Sequence, residues 1–125
     1  MKKIITTEYA PTAIGPYSQG TAFGNLVFTS GQLPMNPATM ELEQDNIEDA
    51  TRRTLQNVQA VLEAAGSSLE KVLKCTVYLS DLGNFAAMNA VYAEFFPTNP
   101  PARTCFEVGK LPLGAIVEVE AIASI

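Results

Sequence analysis

Apolar and polar positions alternate with period two in the first third of the chain, which predicts strands. The segment KKIIT, residues 2–6, predicts a short first strand. We expect three further extended pieces in AIGPYSQGTAFGNLVFTSGQLPMNP, with breaks at Gly15–Pro16, at Gly24–Asn25 and near Gly31. The Gly24–Asn25 pair between two apolar stretches is a typical β-hairpin signal.

A helical period replaces the alternation in the middle of the chain. Apolar or small residues recur three and four positions apart at Ile47, Ala50, Thr54, Val58, Val61, Leu62 and Ala65. Asp45 or Asn46 is suited to cap the first turn, and Gly66 suits the left-handed position that follows a last turn. The pattern therefore predicts a helix from about residue 46 to residue 65.

Alternation returns in KVLKCTVYLSD, which predicts a core strand with one apolar face formed by Leu73, Cys75, Val77 and Leu79. A second helical stripe follows from about Asn84 to Phe96, and Pro97 ends it. Two more strands are predicted over about 102–108 and 115–124. The order ββ(β)αβαββ predicts an α+β fold, a two-layer sandwich of one mixed sheet with two helices on one face.

The stretch PPARTCFEV places different chemistry on the two faces of one strand. One face carries Ala102, Thr104, Phe106 and Val108, and the other carries Arg103, Cys105 and Glu107. We expect the first set to pack on the core. The last strand divides similarly, with Val117, Val119, Ala121 and Ala123 towards the core and Ile116, Glu118, Glu120 and Ile122 on the other face.

The turn GKLPLG is expected to join these two strands as an antiparallel hairpin. In a symmetric hairpin Cys105 lies opposite Glu118, and Arg103 lies opposite Glu120. An arginine, a thiol and two carboxylates would then share one face. A solvated face with a cross-strand ion pair is one explanation. The two isoleucines on that face, and the lack of lysine in both strands, favour burial against another subunit.

Composition narrows the classes of function. The 125 residues suit one domain spanning residues 1–125. The net charge is −5 and the eight Lys and Arg residues are scattered, which argues against a nucleic-acid partner. No stretch is long enough to span a membrane, and the first residues do not form a secretory signal, so we expect no membrane partner and a cytoplasmic location.

The residue types limit the chemistry that the chain can perform. It contains no histidine, and its two cysteines, Cys75 and Cys105, are far apart in sequence. We expect both to be free thiols, and we expect no metal site. A reaction would have to use carboxylates, arginine, thiol, tyrosine, serine, lysine or backbone groups.

The motifs IGPYSQG, FTSGQLPMNP, PPARTCFEV and the acidic final strand resemble those of the RidA (YjgF) family, and the resemblance spans Ala13 to Ile122. It implies a chorismate mutase-like fold and a homotrimer whose sheets line a central barrel, with sites between subunits. It also implies hydrolysis of reactive 2-enamino and 2-imino acids to 2-oxo acids and ammonia, without a cofactor. Examples are 2-aminoacrylate, its tautomer 2-iminopropanoate, and 2-iminobutanoate.

The resemblance also implies roles for individual positions. Arg103 matches the arginine that grips the substrate carboxylate, and Glu118 matches the glutamate that holds the attacking water. The remaining matched positions are Cys105 beside the substrate, Tyr17 and Ser30 around the pocket, Gly31 with its backbone groups, and Asn89 near the cleft. We do not expect Cys105 to be a nucleophile, because no histidine can activate it and nearby Glu118 would raise its pKa.

Several of these positions also have a structural interpretation. Tyr17 beside Gly15–Pro16 is compatible with an ordinary half-buried aromatic, and Ser30 before Gly31 with a turn residue. We expect Glu120 to be structural or to lie at the interface. An oxidation-activated holdase chaperone and a non-catalytic small-molecule binding trimer remain alternative functions, whereas the acidic balance disfavours RNA binding.

Overall fold

The computed structural model describes all residues from 1 to 125 and contains six strands and two α-helices. The strands are Lys3–Ile5 (β1), Gly20–Phe23 (β2), Leu26–Thr29 (β3), Val72–Leu79 (β4), Ala102–Glu107 (β5) and Val117–Ser124 (β6). The helices are Ile47–Ala64 (α1) and Phe85–Phe95 (α2). None of the helices combines the length and the apolar character that crossing a membrane requires.

The six strands form one mixed sheet in the order β1-β2-β3-β6-β4-β5. Neighbouring strands are antiparallel except for β4 and β5, which are parallel. Both helices pack on the same face of this sheet, and their buried side chains share one apolar core with those of the strands. The predicted α+β sandwich with two helices on one face is confirmed.

The N-terminal hairpin forms where Gly24 and Asn25 predict it. Gly24 has φ of +58°, and Phe23 pairs with Leu26 across the turn. The third extended piece, after Gly31, is not a strand and makes only isolated bridges, such as Gln32 with Val119. The prolines within it, Pro34 and Pro37, have no N–H to donate and so cannot continue a ladder.

The ends of α1 agree with the sequence signals. The Asn46 side chain accepts a hydrogen bond of 2.7 Å from the Asp49 backbone N–H, as an N-cap does. Gly66, with φ of +84°, follows the last turn. The prediction of a helix over residues 46–65 is therefore confirmed to within one residue at each end.

The start of β4 differs from the prediction. A bulge between Val72 and Lys74 shifts the register, so Val72 is buried while Leu73 is 51% exposed. Beyond the bulge, Cys75 and Val77 lie fully buried on the core face, as expected, and Leu79 does the same.

The second face of the sheet has no helix over it, and we refer to it as the bare face. Pairing places Ile4, Thr21, Phe28 and Ile122 on it in one row, and Phe106, Tyr78 and Glu118 in another. Five of its large apolar side chains are between 39% and 64% exposed: Ile4, Phe23, Leu26, Phe28 and Phe106. A face this apolar is unusual for a surface that meets only water.

The expected hairpin of β5 with β6 is wrong, because β4 lies between these strands. The predicted pairs, Cys105 with Glu118 and Arg103 with Glu120, do not form. A helix crossover returns the chain so that β5 runs parallel to β4, as in any β–α–β unit. The segment GKLPLG is correspondingly not a tight turn: it includes the 3₁₀ turn Pro112–Gly114, in which Leu113 has φ of +59°.

The parallel pairing also reverses the expected faces of β5. Arg103 pairs with Cys75, and Cys105 pairs with Val77, so both point to the helix side. Ala102, Thr104 and Phe106, which were expected to face the core, are exposed on the bare face instead. Strand β5 is the last in the sheet, and one of its backbone edges is unpaired.

Candidate functional site

One pocket contains four of the seven predicted site residues. It has a volume of about 340 Å³, and its wall includes Tyr17, Ser30, Gly31 and Glu118. Apolar side chains, among them Ile14, Leu33 and Met35, line much of the remaining wall. We refer to it as the Glu118 pocket. Its size and mixed lining suit a small molecule that carries polar groups at one end.

The closest approach in this pocket is between Gly31 and Glu118. A Cβ atom added to Gly31 would lie 2.2 Å from Oε2 of Glu118, far inside van der Waals contact. Only glycine therefore leaves room for the carboxylate where it stands. The family resemblance implies that Gly31 contributes backbone groups. The structure adds that the absence of a side chain at Gly31 creates the space for Glu118.

The Glu118 carboxylate is half-buried and unpaired. No arginine or lysine forms a salt bridge with it, and no group of the chain donates a hydrogen bond to it. Burial, and then the nearby negative charge of Glu120, raise the pKa of Glu118 above the ordinary value for a glutamate. A carboxylate with a raised pKa is a stronger base than usual, which suits proton abstraction from water.

Tyr17 and Ser30 lie at the rim of the pocket. Tyr17 is 50% exposed, and its hydroxyl oxygen accepts a hydrogen bond of 3.3 Å from the Ile14 backbone N–H. The Ser30 hydroxyl donates to the backbone carbonyl of Ser18. This bond ties the two segments of the rim together, so Ser30 has a structural role whatever else it contacts.

Gln19 forms part of the wall of the Glu118 pocket, and it was not predicted from the sequence. Its buried side chain accepts a 2.7 Å hydrogen bond from the Thr7 N–H and donates to the carbonyls of Ala10, at 3.1 Å, and Pro11, at 2.7 Å. It thereby satisfies backbone groups of the N-terminal segment. The available signal was its place in IGPYSQG, immediately before a strand that enters the core.

Asn57 of α1 holds the pocket-lining segment that contains Leu33 and Met35, and it was also not predicted from the sequence. It is fully buried, and its amide nitrogen donates to the carbonyls of Leu33, at 3.0 Å, and Met35, at 2.8 Å. A polar residue at a core position of the helical stripe is the signal that could have revealed it. The structure shows why it is tolerated there: its partners belong to the non-helical segment that follows Gly31.

Three predicted residues form a second group, the Arg103 cluster, which consists of Arg103, Cys105 and Asn89. Arg103 Nη1 donates a 2.7 Å hydrogen bond to Oδ1 of Asn89 on α2. Its guanidinium carbon lies 4.7 Å from the ring centroid of Tyr92 and 5.5 Å from that of Phe85. Arg103 is thus held in one orientation by neutral partners.

The charge of Arg103 has no counter-ion within the chain. Both salt bridges in the structure belong to Arg52, which pairs with Asp49 and Glu94 on the helices. A partly buried guanidinium held by an amide and two rings is oriented but not neutralised. It can therefore accept a carboxylate in the bidentate geometry that arginine favours.

Cys105 is partly buried beside Arg103. Burial raises the pKa of its thiol, and the Arg103 charge opposes this to a smaller extent. The expectation of an unreactive thiol agrees with this direction, but the cause differs from the predicted one, because Glu118 does not lie next to Cys105. Cys75 is fully buried, and both cysteines are free thiols as predicted.

The Glu118 pocket and the Arg103 cluster do not meet within one chain. Glu118 lies on the bare face of β6, whereas Arg103 and Cys105 lie on the helix side of edge strand β5, with β4 between them. The polar face predicted from the sequence is therefore divided in two. Glu120 was expected to pair with Arg103. It instead accepts a hydrogen bond from the Tyr78 hydroxyl.

The sequence of this chain is similar to the sequences of proteins from one family. The family model described as Endoribonuclease L-PSP matches residues 7–125. A RutC family protein of Pyrococcus horikoshii is 52% identical over 123 residues, which cover 98% of both chains. TdcF of Escherichia coli, named provisionally as a reactive intermediate deaminase, is 48% identical over 126 residues, covering 98% of this chain and 97% of TdcF.

Solved structures of similar proteins have the same architecture. The crystal structure of E. coli TdcF with bound serine has a TM-score of 0.95 and 45% identity, and 98% of each chain is covered. The E. coli YjgF gene product has a TM-score of 0.94 and 46% identity, again over 98% of each chain. The fold is thus the chorismate mutase-like α+β fold. The chain belongs to the RidA/YjgF/L-PSP family, also called the RutC family.

Proposed function

We propose that the protein hydrolyses reactive 2-enamino and 2-imino acids to 2-oxo acids and ammonia. The substrates we have in mind are 2-aminoacrylate, its tautomer 2-iminopropanoate, and 2-iminobutanoate. The observation that carries the proposal is a complementary pair of unpaired charges: an oriented cation at Arg103 and a half-buried base at Glu118. A relative named provisionally as a reactive intermediate deaminase supports the same class of reaction.

The proposed reaction needs only these groups and water. Arg103 holds the substrate carboxylate, which places the C=N carbon above Glu118. A water oxygen attacks this carbon as Glu118 takes one water proton, the C=N electrons move to nitrogen, and Glu118 passes that proton to the nitrogen to give a carbinolamine. Glu118 then takes the hydroxyl proton and returns it to nitrogen as the C–N bond breaks, which releases ammonia and leaves the 2-oxo acid. General-base assistance contributes about 10²–10⁴-fold, which is useful for imines because they already hydrolyse slowly in water.

We further propose that the complete site forms between two copies in a cyclic homotrimer. In one chain the two unpaired charges lie on opposite faces of the sheet, so neither can serve a substrate held by the other. The bare face supplies apolar side chains for an interface, and the free edge of β5 places Arg103 at the boundary of the chain. Three such chains closing head to tail give three equivalent sites.

The remaining parts of the proposal follow from the same chemistry. Water is the only co-reactant, so we propose that no cofactor takes part. The net charge of −5 argues against a nucleic-acid partner, despite the description of the family model. Two free thiols are compatible with the cytoplasmic location that we propose.

The direct test uses 2-aminoacrylate produced in the cuvette by a serine dehydratase. We expect added protein to accelerate loss of the imine signal and formation of the 2-oxo acid, and we expect Glu118→Gln to abolish the acceleration. Equal rates with and without the protein would reject the proposal. Binding of a small carboxylate without acceleration would instead indicate the non-catalytic binding trimer.

A further inference from the structure

A tyrosine and a second glutamate accompany Glu118 on the bare face. Tyr78 on β4 pairs with Glu118 in register, yet its hydroxyl reaches diagonally to donate to Glu120, two residues further along β6. We propose that Tyr78 and Glu120 are a positioning pair for Glu118. Tyr78 fixes the Glu120 carboxylate beside Glu118, and Glu120 thereby makes Glu118 a stronger base. The proposal rests on the proposed function, in which Glu118 is the base.

The geometry of three strands keeps this arrangement in place. Glu118 and Glu120 lie two positions apart on one strand and so point to the same face. The Tyr78 ring packs against Phe106 of β5 at a centroid distance of 5.2 Å and an interplanar angle of 85°. This edge-to-face contact restricts rotation of the tyrosine, so its hydroxyl remains directed at Glu120.

No positive group of the chain forms a salt bridge with either carboxylate. From β4, Tyr78 and Thr76 face them, and Lys74 lies one pair further along, opposite Ile122. The segment around Gly31, with Tyr17 across the pocket and Phe106 on β5, adds no charge. In the proposed assembly the Arg103 of a neighbouring copy approaches the pocket, where the substrate carboxylate balances its charge.

The electrostatics agree with this geometry. Burial and then Glu120 raise the pKa of Glu118. The hydrogen bond to Glu120 and, to a smaller extent, burial raise the pKa of Tyr78 to about 12. The tyrosine therefore stays protonated and remains a donor across the working pH range. Glu120 is thus a source of negative charge held at a fixed place by a neutral donor.

The proposal predicts a change that a purely structural role would not produce. Without the Glu120 charge, Glu118 should ionise at a lower pH, because a neighbouring like charge disfavours the ionised carboxylate. The acidic limb of the kcat/KM profile should move down by the same amount. The plateau rate should fall a few-fold, because a weaker base abstracts a proton less effectively.

The test follows Glu118 itself by NMR titration of the ¹³C-labelled side-chain carboxyls in the assembled, substrate-free full chain. Glu120→Gln should lower the Glu118 midpoint, because it removes the neighbouring like charge. Tyr78→Phe should lower it by less, because the freed Glu120 can turn away. Glu63→Gln, which removes one charge from the opposite layer on α1, is the matched control and should leave the midpoint unchanged.

A Glu118 midpoint that is unchanged or raised in Glu120→Gln would overturn the proposal. If that variant does not assemble, Tyr78→Phe decides by the same criterion, since it removes a single oxygen atom. The NMR result does not depend on turnover. An imine assay that shows no acceleration by the wild-type protein would therefore reject the proposed function. The NMR titration would still test whether Glu120 raises the pKa of Glu118.

Discussion

At the scale of single residues, the site depends on a missing side chain as much as on those present. Gly31 lies so close to Glu118 that any Cβ there would overlap the carboxylate. The sequence motif TSGQ identifies Gly31, but not its partner, because the contact joins positions 87 residues apart in the chain (118 − 31). Such contacts become visible only once the sheet is assembled.

Gly31→Ala should displace the Glu118 carboxylate and reduce turnover at least about tenfold, the effect expected when a general base is misplaced. Gly109→Ala is the matched control, because a Cβ at Gly109 meets nothing within 4 Å and its φ is not in the left-handed region. Steady-state imine hydrolysis by both variants checks this. Equal activity in the two would contradict the close-approach argument.

Arg103→Lys should also lower turnover at least about tenfold, because lysine keeps the charge but cannot form the bidentate pair with a carboxylate. The loss should appear in kcat/KM. Arg52→Lys, at an arginine that already has carboxylate partners on the helices, should leave the rate unchanged. Wild-type kcat/KM in Arg103→Lys would remove Arg103 from the substrate site.

Glu118→Gln should abolish hydrolysis without lowering the thermal stability near neutral pH. The folded protein raises the pKa of Glu118, so it binds this proton more strongly than the unfolded chain does. The resulting stabilisation is present at low pH and is lost as the pH rises through the folded pKa. Glutamine avoids the cost of the buried charge, and Tm at pH 7 to 8 should be equal or higher. A clearly lower Tm there would contradict this sign.

At the scale of elements, the sequence predicted each helix and most strand positions but not how the last strands pair. Helix α1 has an amphipathic stripe, an asparagine cap and a terminal glycine, which together define both ends locally. The partner of β5 is decided by the α2 crossover, a long-range effect that alternation cannot reveal. For this reason the side chains of β5 were predicted correctly as two sets, and the sets were assigned to the wrong faces.

Helix α1 supports the pocket through Asn57, and this contact can be tested separately. Asn57→Ala would leave the carbonyls of Leu33 and Met35 without their buried donor. We expect a loss of about 1–3 kcal/mol in the free energy of unfolding, the usual cost of an unsatisfied buried polar group. Gln59→Ala, on the same helix but with an exposed partner at Glu63, should cost much less. Chemical denaturation of both variants measures the difference.

At the scale of the whole molecule, the central feature is the division of the site. Four predicted residues surround the Glu118 pocket, and three form the Arg103 cluster on the other side of the sheet. Sequence analysis could identify all seven positions through family motifs, but it placed Arg103, Cys105 and Glu118 on one face of one chain. The proposed trimer restores their proximity by bringing the edge strand of one copy to the pocket of the next.

Subunit complementation tests this account most directly. Arg103→Met and Glu118→Gln proteins, each inactive alone, would be unfolded, mixed in equal amounts and refolded. Each mixed trimer should contain one intact site, so random assembly should recover about a quarter of the wild-type imine hydrolysis rate. If Arg103 and Glu118 served a site within one chain, no mixed trimer would contain an intact site. An inactive mixture, shown by mass spectrometry to contain mixed trimers, would therefore contradict the shared site.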